Sequence, residues 1–313
     1  MLIGSVRSGV VEARHPVTVA AVDAAGTVVF RSGDDQGTRF FFRSAAKPFQ
    51  ATVSRRHGPP LAAEQLALAS ASHAGQPIHV ALAAQMLAEA GLGPEHLLCP
   101  PDWPAAASAG RRLAAAGVAA PHRLFHNCSG KHSAMLRACA ARGWPLRYTD
   151  ADHPLQREIR EEVAASSGES PDPTGVDGCG VPTFSGTVAG LARAFARLAT
   201  EPALAPVADA MARFAPITSD GDRAEAELAR WLPAAVKGGA QGCLGVAWFG
   251  GLGVAAKCWT GQGAPAVTAV VATLRRLGVL PDHPAAMLAE VAEPAVLGGG
   301  RMVGRLQVLE GPG

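Results

Sequence analysis

The stretch Gly242-Cys-Leu-Gly-Val-Ala-Trp-Phe249 is followed by Gly250-Gly251 and then by Leu252-Gly-Val-Ala-Ala-Lys257. Two apolar runs of strand length joined by a Gly-Gly pair predict a β-hairpin, because glycine readily takes the positive φ angles of a tight turn. Successive side chains of a strand point to opposite faces of the sheet, so Lys257 is expected on one defined face.

Strand patterns recur at both ends of the chain, and helical patterns fill the middle. Val17–Val22 and Thr27–Arg31 flank a turn that contains Gly26, and Met302–Leu309 reads as a closing strand. We therefore predict an α+β fold in which both ends share one antiparallel sheet flanked by helices, with an inserted helical lobe. The expected bounds within this single catalytic unit, residues 1–313, are a sheet lobe at roughly 1–43 and 205–313 and a helical lobe at roughly 44–204.

Composition excludes several classes of protein. The chain is 48% hydrophobic and 17% charged, and its formal net charge of +2 is spread along the sequence, so it has no nucleic-acid footprint. Apolar runs stay shorter than the roughly 18 residues of a membrane helix. The N-terminal residues also lack the apolar core of a secretory signal. We expect a cytoplasmic protein whose six cysteines are reduced thiols, ligands or catalytic groups.

The lysines are unusual, because only four of the 28 basic residues are lysine. Lysine can lose its proton when it is buried, whereas arginine cannot. Two of the four stand three residues after a nucleophile, in Ser44-x-x-Lys47 and Cys128-x-x-Lys131. If a helix begins near Ser44, this spacing places Lys47 on the same face. The alternative is that such lysines only cap or solvate helix ends.

A Ser-x-x-Lys sequence can generate a nucleophile without histidine, because a neutral lysine accepts the serine proton. Serine β-lactamases and penicillin-binding proteins use this arrangement together with Ser-Asp-Asn and Lys-Thr-Gly sequences. Those two sequences are missing, and Lys257-Cys-Trp-Thr260-Gly261 is only a distant counterpart of the second. Penicillin chemistry is therefore not expected.

Two further segments hold reactive side chains in loops. Ser72 and His73 lie in a predicted break between two amphipathic helices, where a simple helix cap is the alternative. Asp177 and Cys179 lie in a glycine-rich loop, for which an inert turn with a buried cysteine is the alternative.

Cys128, Lys131 and Cys179 form a candidate zinc site. Two thiolates and a nitrogen donor suit Zn²⁺ and leave a fourth position for water or substrate. Ser129–Arg142 reads as a helix, which places Cys128 at its N-terminus and predicts a lowered thiol pKa. The alternative is a low-pKa cysteine that acts without a metal.

Five short motifs occur in a characteristic order along the chain. They are Arg43-Ser-Ala-Ala-Lys-Pro48, Ala71-Ser-His73, Asn127-Cys-Ser-Gly-Lys-His132, His153-Pro-Leu-Gln156 and Asp177-Gly-Cys179. Together they closely resemble the rhizobial-type, thermolabile (class 3) L-asparaginase II family. The likeness extends from about Val10 to Val308.

This resemblance implies a fold akin to serine β-lactamases and glutaminases, a homodimer, and hydrolysis of L-asparagine to aspartate and ammonia. It implies two Ser–Lys pairs, Ser44 with Lys47 and Ser72 with Lys257. The zinc ligands that it implies are Cys128, Lys131 and Cys179. The residues that it implies around the substrate and the metal are Arg43, His132 and Asp177.

The chain departs from the family pattern at Gln241, at Thr260 and in the Gly298–Gly300 run. These positions bear on substrate affinity, amide selectivity and dimer contacts. Two other functions stay open at this point. One is hydrolysis of glutamine or another small amide, and the other is amino-acid or zinc binding without turnover.

Overall fold

The structure is a computed structural model that describes residues 1–33, 37–221, 223–280 and 286–309. The strands of the described chain are β1 Leu2–Arg7, β2 Val10–Asp23, β3 Val28–Ser32, β4 Phe40–Phe41, β5 Gly175–Val176, β6 Pro182–Thr183, β7 Ser185–Gly186, β8 Ala234–Gly239, β9 Cys243–Trp248, β10 Leu252–Cys258, β11 Ala295–Gly298 and β12 Arg301–Val308.

The described helices lie mostly between β4 and β8. They are α1 Lys47–His57, α2 Ala63–Ala69, α3 Pro77–Ala88, α4 Ala107–Ala115, α5 Ser129–Arg142, α6 Pro154–Ser167, α7 Val188–Thr200, α8 Ala205–Arg213, α9 Ala215–Thr218, α10 Ala224–Trp231, α11 Gly263–Arg276 and α12 Ala289–Ala292. None of the helices in these ranges combines the length and apolar character needed to span a bilayer.

One large antiparallel sheet combines strands from both ends of the chain. Its strand order is β11-β12-β1-β2-β10-β9-β8, and β3 also pairs with β2. The long β2 joins the two halves, because its first part pairs with β1 and its second part pairs with β10. The hairpin predicted from Gly242–Lys257 is confirmed as β9 and β10, with Trp248 opposite Leu252.

Helices cover both faces of this sheet. On one face α11 packs against β10 and β2, and on the other α7 packs against the same strands and begins the helical layer. The approach of α7 is close, since a Cβ atom added at Gly253 would lie 2.1 Å from the Ala192 carbonyl oxygen. Apolar side chains fill both interfaces.

The predicted mixture of an antiparallel sheet and helices is therefore confirmed. The helix expected at Ser129–Arg142 is also found, as α5. The more specific likeness to serine β-lactamases stays a prediction. The helix expected near Ser44 begins as a 3-10 turn over Arg43–Ala46, and the α-helix starts at Lys47.

Candidate active site

A cavity of about 200 Å³ opens where the 3-10 turn, the start of α5 and the β5–β6 hairpin meet. It is lined by Arg43, Ser44, Asp102, His126, Asn127, Cys128, Asp177, Gly178, Cys179 and Ala240. Five of these residues were singled out from the sequence, although they come from three distant segments. The fold therefore brings half of the ten predicted site residues to one small polar cavity.

Arg43 and Asp177 form an ion pair at this cavity. Arg43 Nε donates to Asp177 Oδ1 at 2.7 Å, and the same oxygen accepts the Gly178 N–H at 2.9 Å. Arg43 has φ of 50°, a left-handed conformation that costs a non-glycine residue about 1–2 kcal/mol. The ion pair helps to hold this turn, which presents Ser44 to the cavity.

Lys47 lies behind Ser44 and contacts the loop that follows α2. Its Nζ donates to Ser72 Oγ at 2.9 Å and to the Ala71 carbonyl oxygen at 2.5 Å. The described hydrogen bonds therefore join this amine to Ser72, and the expected pairing of Ser44 with Lys47 stays a prediction. Lys47 begins α1 and is fully buried toward that loop, where a carbonyl and a hydroxyl accept hydrogen bonds from its amine.

Burial sets the protonation of Lys47. Its side chain is 1% exposed. Desolvation lowers its pKa, and the nearby charge of Lys131 lowers it further, which outweighs the opposite effect of Cys128 and Cys179. A lysine with a lowered pKa that touches a serine hydroxyl has the properties of a general base.

Lys257 is not hydrogen-bonded to Ser72 among the described residues. Its Nζ donates to the Gln241 carbonyl oxygen and lies over the rings of Phe40 and Trp259, 5.8 Å and 5.5 Å from their centroids. These aromatic faces and the backbone carbonyl solvate the amine, and the expected pairing with Ser72 stays a prediction. Burial also lowers the pKa of Lys257.

Cys128, Lys131 and Cys179 come together as the sequence suggested. Lys131 Nζ donates to Cys179 Sγ at 3.1 Å, and the Cys128 thiol donates to Asn127 Oδ1 at 3.2 Å. All three side chains are buried. Cys128 is the N-cap residue of α5, and Lys131 projects from the first turn of that helix toward the Cys179 loop.

The two thiols differ in acidity, and the order reverses the expectation for Cys128. The hydrogen bond to Cys179 and burial raise the pKa of Cys128. The neighbouring Cys128 and the charge of Lys131 hold the pKa of Cys179 far below its usual value. The helix N-terminus does not decide the acidity of Cys128, because the interaction with Cys179 and burial outweigh it.

His132 stands next to this cluster. Its Nδ1 shares a 2.7 Å hydrogen bond with the Tyr148 hydroxyl, whereas its Nε2 is buried without a hydrogen-bond partner among the described residues. Burial lowers the pKa of His132 to about 4, although nearby Cys179 raises it. Its imidazole is therefore neutral, with a free ring nitrogen on the side of Cys179.

The donor set of this cluster fits zinc. Two sulfurs and an amine are ligands that Zn²⁺ accepts, and the unpartnered Nε2 of His132 adds a nitrogen nearby. Within the described ranges, no group of three or more His, Cys, Asp or Glu side chains is arranged to hold a metal ion. The third member of the predicted set is a lysine, so zinc at Cys128, Lys131 and Cys179 stays a prediction.

Sequence reasoning missed the fourth lysine. Lys237 on β8 is 1% exposed and donates to the Gly238 carbonyl oxygen at 2.7 Å. Burial, followed by the charge of Lys47, lowers its pKa to about 7. No motif includes Lys237, but the scarcity of lysine could have marked it, since all four lysines are buried.

Comparisons with known proteins show the family of the chain. The sequence family described as L-asparaginase II matches residues 3–308, which is nearly the whole chain. The chain therefore belongs to the L-asparaginase II family. No curated protein matches the sequence.

Solved structures give a more distant likeness. The structure titled "Crystal Structure Analysis of Mglu in its native form" aligns with a TM-score of 0.50 and 14% identity, over 85% of this chain and 65% of that chain. A second, of Mglu "in the presence of 4.3M NaCl", gives a TM-score of 0.49 and 14% identity over 85% and 62%. The chain thus spans slightly less than two thirds of these proteins, and the likeness concerns the fold alone.

Proposed function

We propose that this protein hydrolyses L-asparagine to L-aspartate and ammonia by a Ser–Lys mechanism. The observation that carries the proposal is the 2.9 Å hydrogen bond between the buried Lys47 amine and Ser72 Oγ, directly behind a cavity lined by Ser44. Membership of the L-asparaginase II family supports an amide substrate. A cavity of about 200 Å³ suits a small amino-acid amide.

Ser44 is the proposed nucleophile, because it lines the cavity whereas Ser72 is buried beside Lys47. Ser44 Oγ attacks the side-chain amide carbon, and its proton passes to the Ser72–Lys47 pair. The protonated pair then donates to the leaving nitrogen, which departs as ammonia and leaves an ester on Ser44. Water hydrolyses that ester, with Lys47 again accepting a proton. Aspartate is released and Ser44 is restored.

Zinc is proposed as a resident cofactor held by Cys128, Lys131 and Cys179. When bound, it would supply positive charge next to the substrate pocket and polarise groups there. The chain's own residues prepare the site, because the hydrogen bond from Lys131 and the neighbouring Cys128 already favour the thiolate of Cys179.

The experiment is ammonia release from L-asparagine and, separately, L-glutamine by the purified, reduced protein with its zinc content measured. We expect release from L-asparagine, no acyl-enzyme with Ser44→Ala, and slowed acylation with Ser72→Ala. Release from L-glutamine alone would replace the proposed substrate by its longer homologue. Release from neither by folded, zinc-loaded protein would overturn the proposal, and an acyl group on Ser72 would reverse the assigned serines.

A further inference from the structure

The cavity contains an acid that none of the motifs includes. Asp102 lines it together with Arg43 and Asp177. Asp177 is already neutralised by Arg43 at 2.7 Å. Asp102 has no ion-pair partner in the described part of the chain, and its Oδ1 accepts the Trp103 N–H at 2.8 Å. A negative charge without a counter-ion therefore faces the cavity.

The backbone fixes the position of this carboxylate. Asp102 and His122 exchange two hydrogen bonds, of 3.3 Å from Asp102 N and 3.1 Å from His122 N. Prolines at positions 100, 101 and 104 restrict the φ angles of the same loop. Asp102 is exposed, so the carboxylate stands at the cavity mouth without having to pay the full desolvation cost of a buried charge.

The opposite charge is present in the same cavity. Arg43 uses Nε for Asp177, and its two terminal nitrogens have no hydrogen-bond partner among the described residues. A guanidinium with free N–H groups binds carboxylates well. A cavity that offers one unpaired carboxylate and free guanidinium N–H groups is complementary to the ammonium and carboxylate of an α-amino acid.

We propose that Asp102 is a specificity-determining residue that binds the α-ammonium group of the substrate, while Arg43 binds the α-carboxylate. This inference rests on the proposed function and makes it narrower. Asp102 selects amides that carry a free α-amino group, and it takes no part in the chemistry at the amide carbon.

The test compares two substrates that differ only in the ammonium group, L-asparagine and succinamate, which has hydrogen in its place. They are assayed with the wild type, Asp102→Asn and Asp102→Ala. The control is Asp150→Asn, an exposed acid paired with Arg147 outside the cavity. Thermal melting of each variant checks that the fold is retained.

We expect Asp102→Asn to raise KM for L-asparagine about 10-fold or more, as for a lost hydrogen bond between charged groups, with kcat nearly unchanged. Succinamate kinetics should not change, so the preference for L-asparagine over succinamate should fall by the same factor. Asp150→Asn should leave both substrates unaffected. Equal losses on both substrates, or an unchanged preference in both Asp102 variants, would overturn the inference.

A wild type that releases no ammonia would contradict the proposed function but would still leave Asp102 testable. In that case calorimetric affinities for L-aspartate and succinate replace the kinetics. The inference then requires Asp102→Asn to weaken L-aspartate binding about 10-fold or more without weakening succinate binding. Equal weakening of both ligands, or of neither, would overturn it.

Discussion

Two buried lysines near the cavity, Lys47 and Lys131, have pKa values that are shifted in opposite directions. Their exposed fractions are 1% and 2%, so both are removed from water almost equally. Lys47 touches a hydroxyl and a carbonyl, and its pKa is lowered by burial. Burial also acts to lower the pKa of Lys131, but the neighbouring Cys179 and Cys128 outweigh it and raise the pKa.

The difference shows that burial alone does not assign the chemistry of a lysine. At Lys47 the opposing effect of Cys128 and Cys179 offsets only part of the desolvation cost, which favours the free amine and a role as base. A thiolate beside Lys131 compensates that cost, which favours an ammonium in the metal-free protein. If Lys131 is to act as a metal ligand, its amine must first lose its proton.

The largest expected effect is at Lys47. Lys47→Met and Lys47→Arg should each lower kcat/KM for L-asparagine by about 10²- to 10⁴-fold, because neither side chain can accept a proton at neutral pH. Ammonia release measures the loss, and thermal melting shows whether the fold survives. Substantial activity in Lys47→Arg would mean that a positive charge is enough, and the proposed base would be wrong.

Replacing Cys179 is expected to lower the amount of zinc that the protein retains. Cys179→Ala should weaken zinc retention at least about 10-fold, since it removes the sulfur whose thiolate form Cys128 and Lys131 favour. Cys139→Ala is the control, because Cys139 is buried in α5 outside the cluster. Elemental analysis after dialysis gives zinc per chain. Equal zinc in both variants, or none in the wild type, would contradict the proposed metal site.

Lys237 is a third buried lysine, and its protonation is expected to make the stability of the protein depend on pH. Its pKa is about 7 in the folded protein against an ordinary value of 10.5. The unfolded chain therefore binds more protons between these pH values, and wild-type stability should rise with pH across that window. Lys237→Met should be more stable than wild type below about pH 7, and the gain should shrink toward pH 10.5. Denaturant unfolding at several pH values measures it, and a pH-independent difference would contradict the assignment.

The smallest effect is expected at Tyr148, whose hydroxyl contacts His132 Nδ1 and accepts the Leu98 N–H. Tyr148→Phe leaves these buried polar groups without that partner. The free energy of unfolding should fall by about 1–3 kcal/mol. Urea unfolding compares it with wild type, and an unchanged value would show that the hydroxyl contributes nothing to the fold.

The sequence predicted the fold well where the signals were local. Alternation and the Gly250-Gly251 turn sufficed for β9 and β10, and Gly143 marked the end of α5, where its φ is 63°. The order of the sheet depends on pairing between distant segments, such as β2 with β10. Local patterns carry no information about those pairs, and only the presence of strands at both ends indicated a shared sheet.

The sequence identified residues of the candidate site, but it did not predict which of them contact one another. The motifs named Cys128, Lys131 and Cys179, and Lys131 contacts Cys179 in the structure. The hydrogen-bond partner of Lys47 could not be predicted, because it depends on how the loop at Ser72 packs against α1 across 25 residues of sequence. The lowered pKa expected for Cys128 was wrong for a similar reason, since Cys179 from a distant loop and burial raise it.

An NMR titration of the lysine side chains in metal-free protein directly tests whether Lys47 is the base and Lys131 the partner of a thiolate. The chain has only four lysines, so labelled lysine gives four side-chain signals, and Lys47→Arg and Lys131→Arg assign the two of interest. We predict that Lys47 loses its proton at a distinctly lower pH than Lys131. The reverse order, or the same pH for both, would contradict the assignment of Lys47 as the base and of Lys131 as the partner of a thiolate.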